Sequence, residues 1–163
     1  QNGGGEFRWA IESEARNRLW KARHQAGLAA LSLRPGARPW STDVCVPISQ
    51  LSTCIDETKR DIALLPFPAV VLGHVGDGNF HVILLLDPSD LREIEAAKRF
   101  NDALVSRAIA MDGTSTGEHG IGLGKRDSLR HELGGAVDLM ADIKHALDPR
   151  AIMNPEKIFA PRV

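Results

Sequence analysis

"FPAVVLGHVGDGNFHVILLLD", Phe67 to Asp87, is the stretch whose reading decides the fold. Two β-type runs, residues 67–75 and 79–87, are separated by Asp77 and Gly78. Asp-Gly between such runs is a strong hairpin signal, because both residues tolerate the positive φ of a type I′ turn. With Asp77 and Gly78 as the two turn residues, Gly76 faces Asn79, Val75 faces Phe80, and His74 faces His81. Directly opposed residues have Cβ atoms about 4.5–5.5 Å apart on one face of the sheet. Two imidazoles on that patch can reach one divalent ion at about 2.0–2.1 Å. The plain alternative is a pair of histidines, each satisfied by local hydrogen bonds.

Upstream, Trp9, Leu19, Trp20, Ala22, Leu28 and Leu31 recur at three- and four-residue steps, which predicts a helix from Glu6 to Leu33. "RPGARP" stops it. "WSTDVCVPI" alternates like one half-buried strand, and Ser49 is the expected N-cap of an amphipathic helix striped by Leu51, Cys54, Ile55, Thr58 and Ile62. Downstream of the hairpin, Asp87 or Ser89 is expected to cap a long helix ending at Gly113. A Gly-rich loop follows, then helices over about 125–132 and 135–147 and an irregular tail. Helix, strand, helix, strand, strand, then helices predicts an α+β fold with an antiparallel sheet flanked by helices and a helical C-terminal segment.

Composition fits an ordinary folded domain: of 163 residues, 43% are hydrophobic and 25% charged, with 20 basic against 21 acidic residues. The net charge of -1 and the lack of a basic block argue against nucleic acid as a partner. No apolar run approaches the roughly 20 residues of a transmembrane segment. "QNGGGEF" lacks the pattern of a signal peptide and reads as a cut end. Cys45 and Cys54, without CxxC spacing, read as reduced and buried thiols.

A second candidate segment is "GTSTGEHGIGLGK", Gly113 to Lys125. Its glycines match neither the dinucleotide fingerprint nor the phosphate loop. Glu118 offers a carboxylate as third ligand beside the two imidazoles. His119, with an unperturbed pKa of about 6.5, is suited to general-base work. By itself the segment also reads as a flexible interhelix loop. Two His and one carboxylate suit zinc and equally the non-haem iron triad; zinc or manganese is preferred for orienting and polarising a substrate oxygen.

"GHVGDGNFH", "GTSTGEHGIGLGK" and "MNPEKIF" together resemble the C-terminal part of the FAD-linked D-2-hydroxy acid dehydrogenases, in the vanillyl-alcohol-oxidase-like flavoprotein superfamily. "LWKARH", "STDVCVPIS" and "GEHGIGLGKR" are most similar to the mitochondrial D-lactate dehydrogenase branch. The resemblance implies that residues 1–163 form the ferredoxin-like substrate and metal cap plus the C-terminal segment. An N-terminal domain binding most of the FAD would then lie outside this chain.

By the same resemblance, His74, His81 and Glu118 bind a divalent metal, zinc or manganese, and His119 is the catalytic base. Arg23 matches an arginine used on the substrate carboxylate, although a solvated charge on a helix face reads equally well from the residue alone. Asn154 of "NPEK" matches a segment near the flavin and is the cofactor-binding candidate. The D-2-hydroxyglutarate branch carries a lysine near Ser41, a threonine near Gly27 and an asparagine at Ile83. Their absence favours a short monocarboxylate such as D-lactate. Implied with it are a mitochondrial location and an electron acceptor such as cytochrome c or an electron-transfer flavoprotein. The alternatives are D-2-hydroxyglutarate oxidation and a non-catalytic metal-binding fragment.

Overall fold

The computed structural model describes residues 9–160; residues 6–8 of the expected first helix lie outside them, and the helix begins only at Ser13, because Glu12 is extended. The elements are α1 (Ser13–Leu31), β1 (Arg38–Ser41), β2 (Val44–Cys45), α2 (Ile48–Ile62), β3 (Ala69–His74), β4 (Asn79–Leu86), α3 (Leu91–Ala110), α4 (Arg126–Leu133) and α5 (Ala136–Leu147). The α+β expectation holds. β4 is the central strand, paired antiparallel with β3 along one edge and with β1 and then β2 along the other. Its sequence, "NFHVILLL", is nearly continuously apolar because no position on either face of the strand is exposed.

The expected single strand over "WSTDVCVPI" is two, because Thr42 and Asp43 leave the regular ladder between β1 and β2. Thr42 bridges the break: its N–H donates to the Val82 carbonyl at 3.0 Å, and its hydroxyl accepts from the Val82 N–H at 2.9 Å. After α3 the chain returns to this edge at Thr114, which exchanges two backbone hydrogen bonds with Cys45, at 2.8 and 3.2 Å. That single-residue bridge stands where a further strand would run beside β2. It completes the β-α-β-β-α-β order of a ferredoxin-like layer and carries the Gly-rich loop to the hairpin.

Alternation along β4 divides the sheet into two faces. Phe80, Val82, Leu84 and Leu86 pack into the core with Val44, Val46, Leu51 and Cys54 near α2, and Phe100, Leu104 and Ala108 of α3. Each fully buried large side chain contributes about 1.5–3 kcal/mol. Arg107 of α3 binds α2 through Glu57 at 2.9 Å, Thr58 at 3.1 Å and Asp61. His81 stands at an odd position, on the face turned away from those helices.

The hairpin differs from the expected type I′ turn. Val75–Asp77 form a 3-10 turn and Gly78 follows at φ +75°, so the loop has four residues and His74 pairs with Asn79, not His81. Gly78 is required here: besides its positive φ, an added Cβ would lie 2.0 Å from the Val46 carbonyl oxygen. His81 instead pairs with Leu72. A two-residue shift preserves the face, whereas a one-residue shift reverses it. His74 and His81 therefore remain on one side, as diagonal neighbours.

Two caps differ as well. α2 begins one residue before Ser49, after Pro47, with no side-chain cap, and α3 is capped by Asp90, whose carboxylate accepts the Arg92 N–H. Asp87 and Ser89 instead bond each other in the preceding turn, at 2.6 and 2.9 Å. Both cysteines are free, but only Cys54 is buried; Cys45 is half-buried, with its Sγ against the Asp77 carbonyl. The apolar positions of α1 do not form a buried stripe: Leu19, Trp20 and Leu28 are exposed, and within the helix only Ala30 is buried.

Below α1, Arg34 forks onto Glu93 at 2.8 and 3.0 Å and so joins the α1 end to the α3 start. The Arg34 hydrogen bonds hold the Glu93 carboxyl below its ordinary range against the opposing effect of burial, with help from the Asp87 N–H. A carboxylate lowered by folding contributes stability that is complete above its unfolded value and lost as pH falls below about 4. Glu93→Gln should lower Tm at pH 7, and thermal melts of variant and parent should converge on acidification towards pH 3.

Candidate metal centre

The two halves of the site come from the hairpin and from the loop after Thr114. From the hairpin, the His74 and His81 rings sit edge to face with centroids 6.0 Å apart. From the loop, Glu118 Oε1 approaches His81 Nε2 at 2.9 Å and His74 Nε2 at 3.5 Å. One ligand atom from each of His74, His81 and Glu118 lies within 4.8 Å of the other two. Ligands on one small divalent ion at about 2.0–2.2 Å stand roughly 3–3.4 Å from each other. The donor set therefore fits such an ion.

Hydrogen bonding sharpens this. His81 Nδ1 lies 3.1 Å from the Thr42 carbonyl, which can only accept, so that nitrogen carries a proton. The other ring nitrogen, Nε2, faces the Glu118 carboxylate, which is also only an acceptor. Two acceptors at 2.9 Å need a positive charge between or on them, from a metal ion or a second ring proton. A proton on Nδ1 held by a backbone carbonyl, with Nε2 turned to the site, is the usual arrangement of a metal-binding histidine.

His119 follows Glu118 and lies flat on the His81 ring, with centroids 4.8 Å apart and planes within 2°. Its Nε2 is 3.8 Å from Glu118 Oε1, so it borders the three-ligand group without belonging to it. Arg23 comes from α1, and its Nη2 lies 3.1 Å from His74 Nδ1. Since a guanidinium only donates, Nδ1 accepts there, and the guanidinium stands beside the histidine pair. Asn154 is in the exposed tail at φ +45°, lining a groove of about 380 Å³ against α5. It is not among the residues grouped around the hairpin.

The supporting residues Thr42, Asp43, Asn79 and Lys125 were not singled out by the sequence reading. Asp43 is fully buried. Its Oδ2 accepts from the Gly117 N–H (3.0 Å), the Glu118 N–H (3.2 Å), the His119 N–H (2.9 Å), the Thr116 hydroxyl (2.9 Å) and the Lys125 ammonium (3.1 Å). Asn79 donates to Oδ1 at 2.9 Å. Burial alone would raise this carboxyl, but the His119, Asn79, Lys125 and Thr116 hydrogen bonds outweigh it and hold it well below the usual carboxylate range. Asp43, His81 and His119 also fall within 4.8 Å of one another. With its oxygens taken up by donors, however, Asp43 serves as an anchor and not a ligand. Close approach of loop and hairpin depends on Gly117, where a Cβ would stand 1.8 Å from Asn79 Nδ2. One signal was present in the sequence: an aspartate inside an alternating strand is disfavoured and, once buried, needs several donors.

Residues 1–158 match the family described as FAD linked oxidases, C-terminal domain. The chain belongs to this family. Among individual proteins it is 54% identical, over 97% of its length, to a probable mitochondrial D-lactate dehydrogenase of Danio rerio. It is 43% identical, over 100% of its length, to the mitochondrial D-lactate dehydrogenase (cytochrome) of Arabidopsis thaliana. The chain spans about a third of these relatives, 32% and 29%. A solved 4-ethylphenol oxidase from Gulosibacter chungangensis, in its isoeugenol complex, superposes with a TM-score of 0.60 over 91% of this chain and 31% of that one. At 18% identity, that likeness concerns the fold alone. Among the described residues of this FAD-linked oxidase domain, no helix is long and apolar enough to cross a membrane.

Proposed function

We propose that this FAD-linked oxidase domain is the substrate and metal part of an FAD-dependent D-2-hydroxy acid dehydrogenase that oxidises D-lactate to pyruvate in the mitochondrion. The observation that carries it is the His81 ring, its Nδ1 held by the Thr42 carbonyl and its Nε2 turned to the Glu118 carboxylate 2.9 Å away, beside His74. Names of the relatives that the chain matches support the substrate class and location.

His74, His81 and Glu118 hold a divalent ion, zinc or manganese. Bound there, the ion supplies positive charge that polarises the substrate hydroxyl and favours its deprotonated form. Arg23, beside His74, binds the substrate carboxylate through its guanidinium fork. His119 takes the hydroxyl proton at Nε2, its ring kept in place by the stack on His81. The flavin would be held mainly by a domain outside this chain, with Asn154 as this chain's candidate contact, and would supply the acceptor for the hydride that leaves Cα. An acceptor such as cytochrome c or an electron-transfer flavoprotein would take up the electrons.

Rapid mixing of the full-length flavoprotein with candidate acids tests this reading. D-lactate should bleach the flavin absorbance, and L-lactate and D-2-hydroxyglutarate should do so far more slowly. Faster bleaching by D-2-hydroxyglutarate would move the assignment to the dicarboxylate, and no bleaching by any 2-hydroxy acid would reject a dehydrogenase.

A further inference from the structure

We propose that Asp43 is the positioning residue of this site, one buried carboxylate fixing where Glu118 and His119 stand relative to the hairpin histidines. The inference rests on the metal-centred reading above. Thr42 and Asp43 are adjacent residues at the break between β1 and β2, and each holds one half of the site. The Thr42 carbonyl orients His81 through Nδ1, and its hydroxyl and N–H tie it to Val82 of the central strand. Asp43 gathers the N–H groups of Gly117, Glu118 and His119 with the Thr116 hydroxyl. Lys125 closes the ring by donating to the Asp43 carboxylate, the Asp43 carbonyl and the Ser115 carbonyl, at 3.0–3.1 Å. The side chains at 118 and 119 are about half exposed, so their positions are set through the backbone under them. A carboxylate is needed for two reasons: both of its oxygens only accept, so converging donors meet no donor in return, and its charge offsets the Lys125 ammonium.

Asp43→Asn keeps the shape but sets an amide NH2 where a carboxylate oxygen now accepts. In the full-length flavoprotein, its Mn²⁺ affinity, read from the electron paramagnetic resonance of free Mn²⁺, should weaken by about 10–100-fold. At saturating Mn²⁺ its kcat should stay reduced by about tenfold or more, because His119 is displaced too. Thr116→Val, which removes a single donor to Asp43, should weaken Mn²⁺ binding less but in the same direction, and it serves if Asp43→Asn does not fold. Glu132→Gln provides the structural comparison. Glu132 anchors the same loop at Ser115, at 2.7 and 2.8 Å, away from 117–119. It should lower Tm and leave Mn²⁺ affinity unchanged. Wild-type affinity in both Asp43→Asn and Thr116→Val, or an equal loss in Glu132→Gln, overturns the inference alone. A parent protein that takes up no Mn²⁺ overturns the metal reading and the inference with it.

Discussion

His81→Ala should leave the full-length flavoprotein folded, with its flavin, and almost free of divalent metal. Among the three proposed ligand side chains His81 is the least exposed, at 12% against 38% for His74 and 49% for Glu118, and it is the one whose orientation is set by a backbone carbonyl. Its loss removes the nitrogen nearest Glu118 and leaves that carboxylate facing His74 alone. Changes to residues that merely support a metal ligand cost about 10–100-fold in affinity, so deleting the ligand should exceed that range. Metal content after dialysis, together with a Mn²⁺ titration, measures the effect. His74→Ala should act in the same direction, and stoichiometric metal retained in the double variant would reject the ligand assignment.

The opposite separation is expected at His119. His119→Ala should bind metal close to the parent level while kcat falls by about 10²–10⁴-fold, the range contributed by a positioned general base. The reason is geometric: His119 lies against the face of His81, beside the three-ligand group, where a ring nitrogen can receive a proton without occupying a ligand position. Turnover at saturating substrate and metal is the readout. A near-normal kcat would remove His119 from the role of base, and a parallel loss of metal would place it among the ligands. Read together, the His81 and His119 variants separate binding of the ion from movement of the proton.

Much of this was legible in the sequence because local rules governed it. The β-type runs "FPAVVLGHV" and "NFHVILLLD" gave β3 and β4, and the Asp-Gly signal placed the hairpin that carries both histidines. The register came out two residues away because the same Asp-Gly pair also suits a four-residue loop. There Gly78 takes the positive φ and its carbonyl accepts the Val46 N–H at 3.0 Å, a partner some thirty positions earlier that the turn alone cannot reveal. The error left the function reading intact because an even shift keeps side chains on their face. In "DPSD", three possible caps lie within four residues, and propensity does not choose among them; the turn took Asp87 and Ser89, leaving Asp90 for the helix. Asp43 escaped for a different reason. All its loop donors lie more than seventy positions away, so only the return of the chain at Thr114 brings them within reach.

The proposed function turns on a single cation held by His74, His81 and Glu118. The most direct measurement is an anomalous-difference map from a crystal of the full-length flavoprotein soaked in Mn²⁺ or Zn²⁺, recorded at the absorption edge of the metal. One strong peak is expected between the His74 ring, Nε2 of His81 and the Glu118 carboxylate. A fully occupied peak elsewhere, with none among these three side chains, would contradict it.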